Sequence, residues 1–156
     1  MAEQVPEGFG PILRSSPVLD ALGGFHSKGT GSALEIGLLV GERHCNSRGT
    51  IHGGVLATLA DIGMGYLMVF GHEPPGRSQG EYRSAQHAGL PDAPPRRMTT
   101  ASLNIDYTGS AKVGDWIDVR MDAPKIGRQI AFANARLMVG DRQVARASAV
   151  FAVTQE

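Results

Sequence analysis

One stretch of this chain, NSRGTIHGGVLATLADIGMGYLMVFG from Asn46 to Gly71, constrains everything else. Between Val55 and Phe70, Leu, Ile, Met, Val, Tyr and Phe recur on more than one side of any helix drawn through it. A helix that is apolar on most faces belongs inside a protein or inside a membrane. This run is shorter than the ~20 residues of a membrane span, is interrupted by Asp61, and carries Gly53, Gly54, Gly63, Gly65 and Gly71 in or beside it. It therefore reads as the central helix of a small soluble domain, with no membrane partner. Such a fold must supply enough structure to bury the helix. It must also give Asp61 a partner or a task, because an unpaired buried carboxylate is costly.

The chain of 156 residues suffices for that, and residues 1–156 are expected to form a single domain with one core. Fifteen basic and fifteen acidic side chains cancel, and no pair of helices resembles a DNA reader, so no nucleic-acid partner is expected. The single cysteine, Cys45, excludes an internal disulfide framework and fits a small apolar filler. With no basic-then-apolar leader in MAEQVPEGFG, the expected location is cytoplasmic. His26, His44, His72 and His87 show no metal-ligand spacing with one another or with Cys45, so no metal is expected.

Ser16 to Gly24 carries the punctuation of a short helix: Ser16 as cap, Pro17 in the first turn, Gly23 as left-handed stop. Phe25 to Gly31 reads as a glycine-bearing turn that lacks the order of a phosphate loop. Ala33–Val40 is expected as a strand, and Glu42–Gly49 as a polar connection. Residues 71–97, rich in proline and without apolar periodicity, read as a long insertion of the kind that forms a lid, a binding loop, a second interface or a disordered segment. Thr99–Thr108 alternates, with Ala101, Leu103, Ile105 and Tyr107 on one face. Trp116–Met121, Gln129–Val139 and Gln143–Thr154 follow as strands, with a turn at Lys125–Arg128 and Trp116 in the core. The expectation is an α+β domain in which one strand and a four-stranded antiparallel meander wrap one long helix.

Two positions on that helix suit chemistry. At His52-Gly53-Gly54 the backbone N–H groups of the first turn lack intrahelical acceptors, and glycine lets a ligand approach. With the helix dipole, this stabilises negative charge developing on an oxygen. Asp61 can act on water or on a carbonyl carbon. Each also has a plain structural reading, as a glycine-rich helix entry and as a carboxylate bonded to a neighbouring loop. The rise from His52 to Asp61 is about 13 Å, too far for one small reaction centre. Both can serve one site only if two antiparallel copies of the helix cross, as a two-fold dimer allows.

The pattern Asn46-x2-Gly49-x2-His52-Gly53-Gly54-x6-Asp61 resembles the hotdog-fold acyl-CoA thioesterases, specifically the phenylacetate-degradation (PaaI-like) group and its mammalian relatives. The resemblance covers roughly residues 14–154 apart from the 71–97 insertion. It implies hydrolysis of an acyl-CoA to free acid and CoA, with CoA entering as part of the substrate and no separate cofactor. It further implies that Asn46 bonds the thioester carbonyl, that the Gly53 N–H forms the oxyanion hole, and that His52 shapes the turn. Asp61 of the facing subunit would be general base or nucleophile. A hydroxyl residue in the next strand would assist it, and Thr100 falls there, although strict alternation places Thr99 on the apolar face and Thr100 requires a bulge. The resemblance assigns the CoA arm to Tyr107, Thr108, Gly109, Ser110, Ala111, Lys112, Lys125 and Arg128, and implies a homodimer with shared sites assembled as a homotetramer. Met64, Tyr66, Met68 and residues 71–97 are candidates for the acyl pocket wall. The alternatives are an acyl-thioester hydratase or dehydratase with His52 as base, and a non-catalytic acyl-CoA-binding protein.

Overall fold

Ser16 caps the first helix as its sequence requires: its Oγ accepts the Leu19 N–H at 3.5 Å, Pro17 opens the helix, and Gly23 closes it at φ 65°. The computed structural model describes residues 4–71 and 97–154. In chain order it contains β1 (Gly10–Pro11), α1 (Pro17–Leu22), β2 (Phe25–Lys28), β3 (Glu35–Leu39), α2 (Gly53–Phe70), β4 (Arg97–Tyr107), β5 (Trp116–Met121), β6 (Lys125–Ile126), β7 (Ile130–Val139) and β8 (Arg142–Thr154). Short 3₁₀ turns lie at Gly31–Ala33 and Glu42–His44. All strands pair antiparallel in one sheet of order β1-β2-β3-β5-β7-β8-β4, with β6 attached to β7. This is the expected α+β architecture, one long helix lying along an antiparallel sheet.

The sheet's alternation selects what the helix meets. On β7, Ala131, Ala133 and Ala135 point inward, while Ile130, Phe132, Asn134 and Arg136 point out. Ala145, Ala147 and Ala149 do the same on β8. These small side chains let α2 settle close to the sheet. At Gly63 the approach is so tight that a Cβ would lie 2.9 Å from both methyl carbons of Val119. Leu56, Leu59, Ala60, Met64 and Met68 fill the interface. Leu59 is fully buried, so truncation to Ala costs about 2–5 kcal/mol. By length and composition α2 could cross a membrane, but half of it is covered by the rest of the domain.

Several expectations change. Phe25–Lys28 is a strand and not a turn: Phe25 and Ser27 point inward and the segment pairs with β3 from Phe25↔Leu38 to Lys28↔Glu35. Glycines on both sides had masked so short an alternation. The four later strands are not one meander. β5 lies between β3 and β7, whereas β4 crosses to the far edge and pairs with β8 from Arg97↔Thr154 to Tyr107↔Ala145. Lys125 and Ile126 form β6 instead of a turn. Trp116 lies on the outer sheet face rather than in the core, its ring against Gly37, where a Cβ would come within 2.2 Å, and edge-on to Phe9 at 4.7 Å. Nor is α2 buried all round. Ala57, Thr58, Asp61, Ile62, Gly65, Tyr66 and Val69 form a half-buried face, so Asp61 is not a core residue of this chain. Of the 71–97 insertion, Gly71 ends α2 and Arg97 begins β4; residues 72–96 lie outside the described residues.

Candidate active site

At the start of α2, His52 is the cap, in extended backbone conformation, and its Nδ1 accepts the Gly54 N–H at 2.9 Å. Its carbonyl accepts the Val55 N–H at 2.9 Å. With Gly54 satisfied, the Gly53 N–H is left without an acceptor among the described residues. The other side of Gly53 is occupied: Tyr107 Oη donates to the Gly53 carbonyl at 2.9 Å, and a Cβ on Gly53 would lie 3.0 Å from Tyr107 Cζ. The strand and turn after Tyr107 run alongside, because the Ile51 N–H bonds the Ala111 carbonyl at 2.8 Å and Thr50 bridges Lys112.

Asn46 points into its own loop. Its Oδ1 accepts the Arg48 N–H at 2.9 Å and its Nδ2 donates to Thr50 Oγ1 at 3.1 Å. Gly49, at φ 76°, lets the chain turn back there. Asn46 thus closes the 46–50 loop ahead of the helix, with one amide proton remaining for another acceptor.

The other half of the arrangement lies further along the same helix. Thr100 Oγ1 donates to Asp61 Oδ1 at 2.6 Å. A register shift between Thr100 and Ser102 makes this possible. Below it, Leu103 and Ile105 face α2 alongside Ala149 and Ala147; the extra residue at Ala101 turns Thr100 to the same side. The bulge demanded by the alternation is therefore present. Asp61 and Thr100 open onto a groove of about 730 Å³ lined also by Gly65, Tyr66, Val69 and Phe151. Burial pushes the Tyr66 phenol above its ordinary pKa, against the opposing charge of Arg14, and its hydroxyl donates to the Arg14 carbonyl at 3.0 Å. Met64 and Met68 do not line this groove; both are sealed beneath the sheet.

The residues expected to hold CoA divide into two sets. Tyr107 to Lys112 lie at the Gly53 end, with all but Ala111 exposed; Ala111 is only 2% exposed and its side chain belongs to the core. Lys125 and Arg128 lie at the other end, since the sheet row through Thr100 runs across Phe151 and Ala131 to Ile126. The ends of β4 from Thr100 to Tyr107 are about 23 Å apart. Arg142, which sequence reasoning missed, donates to the Ser110 carbonyl and approaches Asp115 at 3.8 Å, clipping the 108–115 turn to β8. Only the tertiary pairing brings it there. Among the described residues no group of three or more His, Cys, Asp and Glu side chains could hold a metal ion.

Residues 48–146 match the family model of the thioesterase superfamily. The chain belongs to that superfamily. A protein of Pseudomonas aeruginosa, provisionally named an esterase, is 45% identical over 148 residues, covering 94% of this chain and 96% of that protein. The mouse acyl-coenzyme A thioesterase 13 is 32% identical over 99 residues, covering 63% of this chain and 55% of the mouse protein. In fold, the chain is similar to the zebrafish thioesterase superfamily member 2, with TM-score 0.67 at 22% identity and 92% of each chain covered. The architecture is the hotdog fold, and thioester hydrolysis is the reaction class of this superfamily member.

Proposed function

We propose that this thioesterase superfamily member hydrolyses acyl-CoA thioesters to the free acid and CoA at sites shared between two copies of the chain. The observation that carries this reading is the division of labour along α2: an N–H at Gly53 without an acceptor among the described residues, and about 12 Å along the helix a carboxylate fixed by Thr100 at 2.6 Å. An unpaired N–H at a helix N-terminus stabilises the oxyanion that forms when a thioester carbonyl is attacked. Thr100 occupies Oδ1 of Asp61 and so leaves Oδ2 to take a proton from water or to attack the carbonyl carbon. Collapse of the tetrahedral intermediate breaks the C–S bond and expels CoA as its thiol.

The distance between the two groups supports assembly. A second copy, running antiparallel, would bring its Asp61 to this Gly53 and its Lys125 and Arg128 to this chain's Tyr107–Lys112 turn, giving one site from two half-sites. The half-buried face of α2 and the edge of β4, which has no strand neighbour beyond β8 among the described residues, are where such a copy would fit. A homotetramer would pair two such dimers. The remaining amide proton of Asn46 would reach toward the carbonyl, and the acyl group would lie in the groove beside Gly65, Tyr66 and Val69. The mouse relative's name supports acyl-CoA as the substrate class.

Thiol release from a panel of aryl- and alkyl-CoA esters tests the chemistry, with Asp61→Asn expected to lower kcat by about 10²–10⁴-fold. Unchanged hydrolysis in that variant would remove Asp61 from the mechanism, and hydration of an enoyl-CoA without thiol release would replace the reaction. Mixing tests the sharing. Asp61→Asn and Gly53→Ala chains, each strongly impaired alone, should together approach about one quarter of wild-type activity after random re-assortment, since half the dimers are hybrids with one intact site. No recovery despite subunit exchange would mean that each chain works alone.

A further inference from the structure

His44 is one of two buried polar side chains in the described core, with 2% of its surface exposed, and the proposed chemistry does not use it. Both ring nitrogens are committed. Nδ1 accepts the Gly41 N–H at 2.8 Å, and a backbone N–H can only donate, so Nδ1 carries no proton. Nε2 lies 2.8 Å from the Leu22 carbonyl and 3.0 Å from that of Gly23, so it carries the proton and donates to the open end of α1. The ring is thus a neutral imidazole of fixed tautomer. Gly24 admits it: a Cβ there would lie 2.8 Å from His44 Cε1. His44 also has a backbone link. Its carbonyl accepts the His52 N–H at 2.8 Å, immediately before the Gly53 N–H.

We infer that His44 is a positioning residue for the oxyanion donor, holding the entry of α2 against α1. The chain of bonds is short. The ring fixes the 41–44 turn through Gly41 and anchors it to α1 through Leu22 and Gly23; the turn's last carbonyl fixes the His52 N–H; His52 then takes up the Gly54 N–H and leaves that of Gly53 without an acceptor among the described residues. A donor displaced by about 1 Å loses on the order of 10²-fold in rate, so a side chain that never meets substrate can control kcat from this place. The other end of α1 bears on the second half-site, since Ser15, Ser16 and Pro17 border the Asp61 groove. This inference rests on the oxyanion role of Gly53 proposed above.

Three variants separate its parts. His44→Ala removes both ring bonds and should lower kcat about 10- to 100-fold with KM for the CoA ester almost unchanged. His44→Asn sets an oxygen near the place of Nδ1 and can keep the Gly41 bond. His44→Gln sets an amide nitrogen near the place of Nε2 and can keep the bond to α1. The Asn variant should recover more of kcat and the Gln variant more of the melting temperature, because the turn and not α1 touches His52. Variants that melt lower but turn over at the wild-type rate would overturn the inference, leaving His44 as core packing alone. Loss of thiol release in the wild type itself, or full activity in Asp61→Asn, would instead refute the underlying reaction. Where His44→Ala does not fold, nitrogen-15 spectra of the wild-type protein decide. The ring should appear as the Nε2–H tautomer under the conditions of the activity assay. A His44 ring found protonated at Nδ1 while kcat is intact would overturn the inference.

Discussion

The two ends of the candidate stretch of α2 are built on opposite plans. At Gly53 the proposed functional group is backbone, held by two side chains and a carbonyl: His52 takes the neighbouring N–H, Tyr107 takes the Gly53 carbonyl, and the His44 carbonyl holds the N–H of the residue before. At Asp61 the proposed functional group is a side chain, and backbone presents its partner, since the irregularity between Thr100 and Ser102 brings the Thr100 hydroxyl to the carboxylate. The first end resists change because no side-chain substitution can replace an N–H. The second is adjustable because the group, its partner and most of the groove around it are side chains.

That contrast can be broken by substitution. The largest effect is expected at Asp61, where replacement by Asn keeps shape and removes the charge, with the 10²–10⁴-fold loss of kcat given above. Gly53→Ala should cost about 10- to 100-fold through the ring it displaces, its Cβ being 3.0 Å from Tyr107 Cζ. The same change in a Tyr107→Ala background should cost much less, and an equal loss in both would trace the effect to the helix entry itself. Thr100→Val, which keeps volume and loses the hydroxyl, should lower kcat by roughly tenfold while Thr100→Ser stays near wild type, corresponding to a charge-assisted hydrogen bond of about 1.5–3 kcal/mol partly replaced by water. Equal losses in Val and Ser would mean that the bulge and not the hydroxyl matters.

The smallest effect concerns pH and the wall of the Asp61 groove. Burial raises the Tyr66 pKa above its unfolded value of about 10, so the folded form disfavours the phenolate. Its contribution to stability is fully present below pH 10 and is lost as pH rises through the folded value. Equilibrium unfolding between pH 9 and about 11.5 should show this decline in the wild type and a shallower one in Tyr66→Phe. Identical slopes would mean that the phenol is wet in solution.

What could be read from the chain beforehand follows from how local the signal is. β5, β7 and β8 announce themselves because each carries several repeats of its own period, and α2 by the length of its apolar run. β2 does not, having two inward residues, Phe25 and Ser27, between glycines. The strand order was unreadable, since the pairing of β4 with β8 joins residues such as Leu103 and Ala149 whose own sequences say nothing of each other. The burial of α2 was overread for a related reason: Ile62, Tyr66 and Val69 look like core, and no sequence period separates a face for a sheet from a face left half-open. At the candidate site, the types and spacing of Asn46, Gly53 and Asp61 can be read from the chain, and their roles belong to the proposal. The Tyr107–Gly53 bond, the commitment of Asn46 to Thr50 and the ties of His44 were not, since each depends on orientation rather than on residue type.

The bed of alanines beneath α2 acts as a shim. Ala131, Ala133, Ala135, Ala145, Ala147 and Ala149 set the height of one rod that carries both Gly53 and Asp61. A single added methyl on the sheet would lift or tilt that rod, moving two distant groups together, though the changed residue touches neither of them. Natural drift at those positions, or deliberate engineering of them, can therefore retune both proposed half-sites at once without altering any residue assigned to the chemistry.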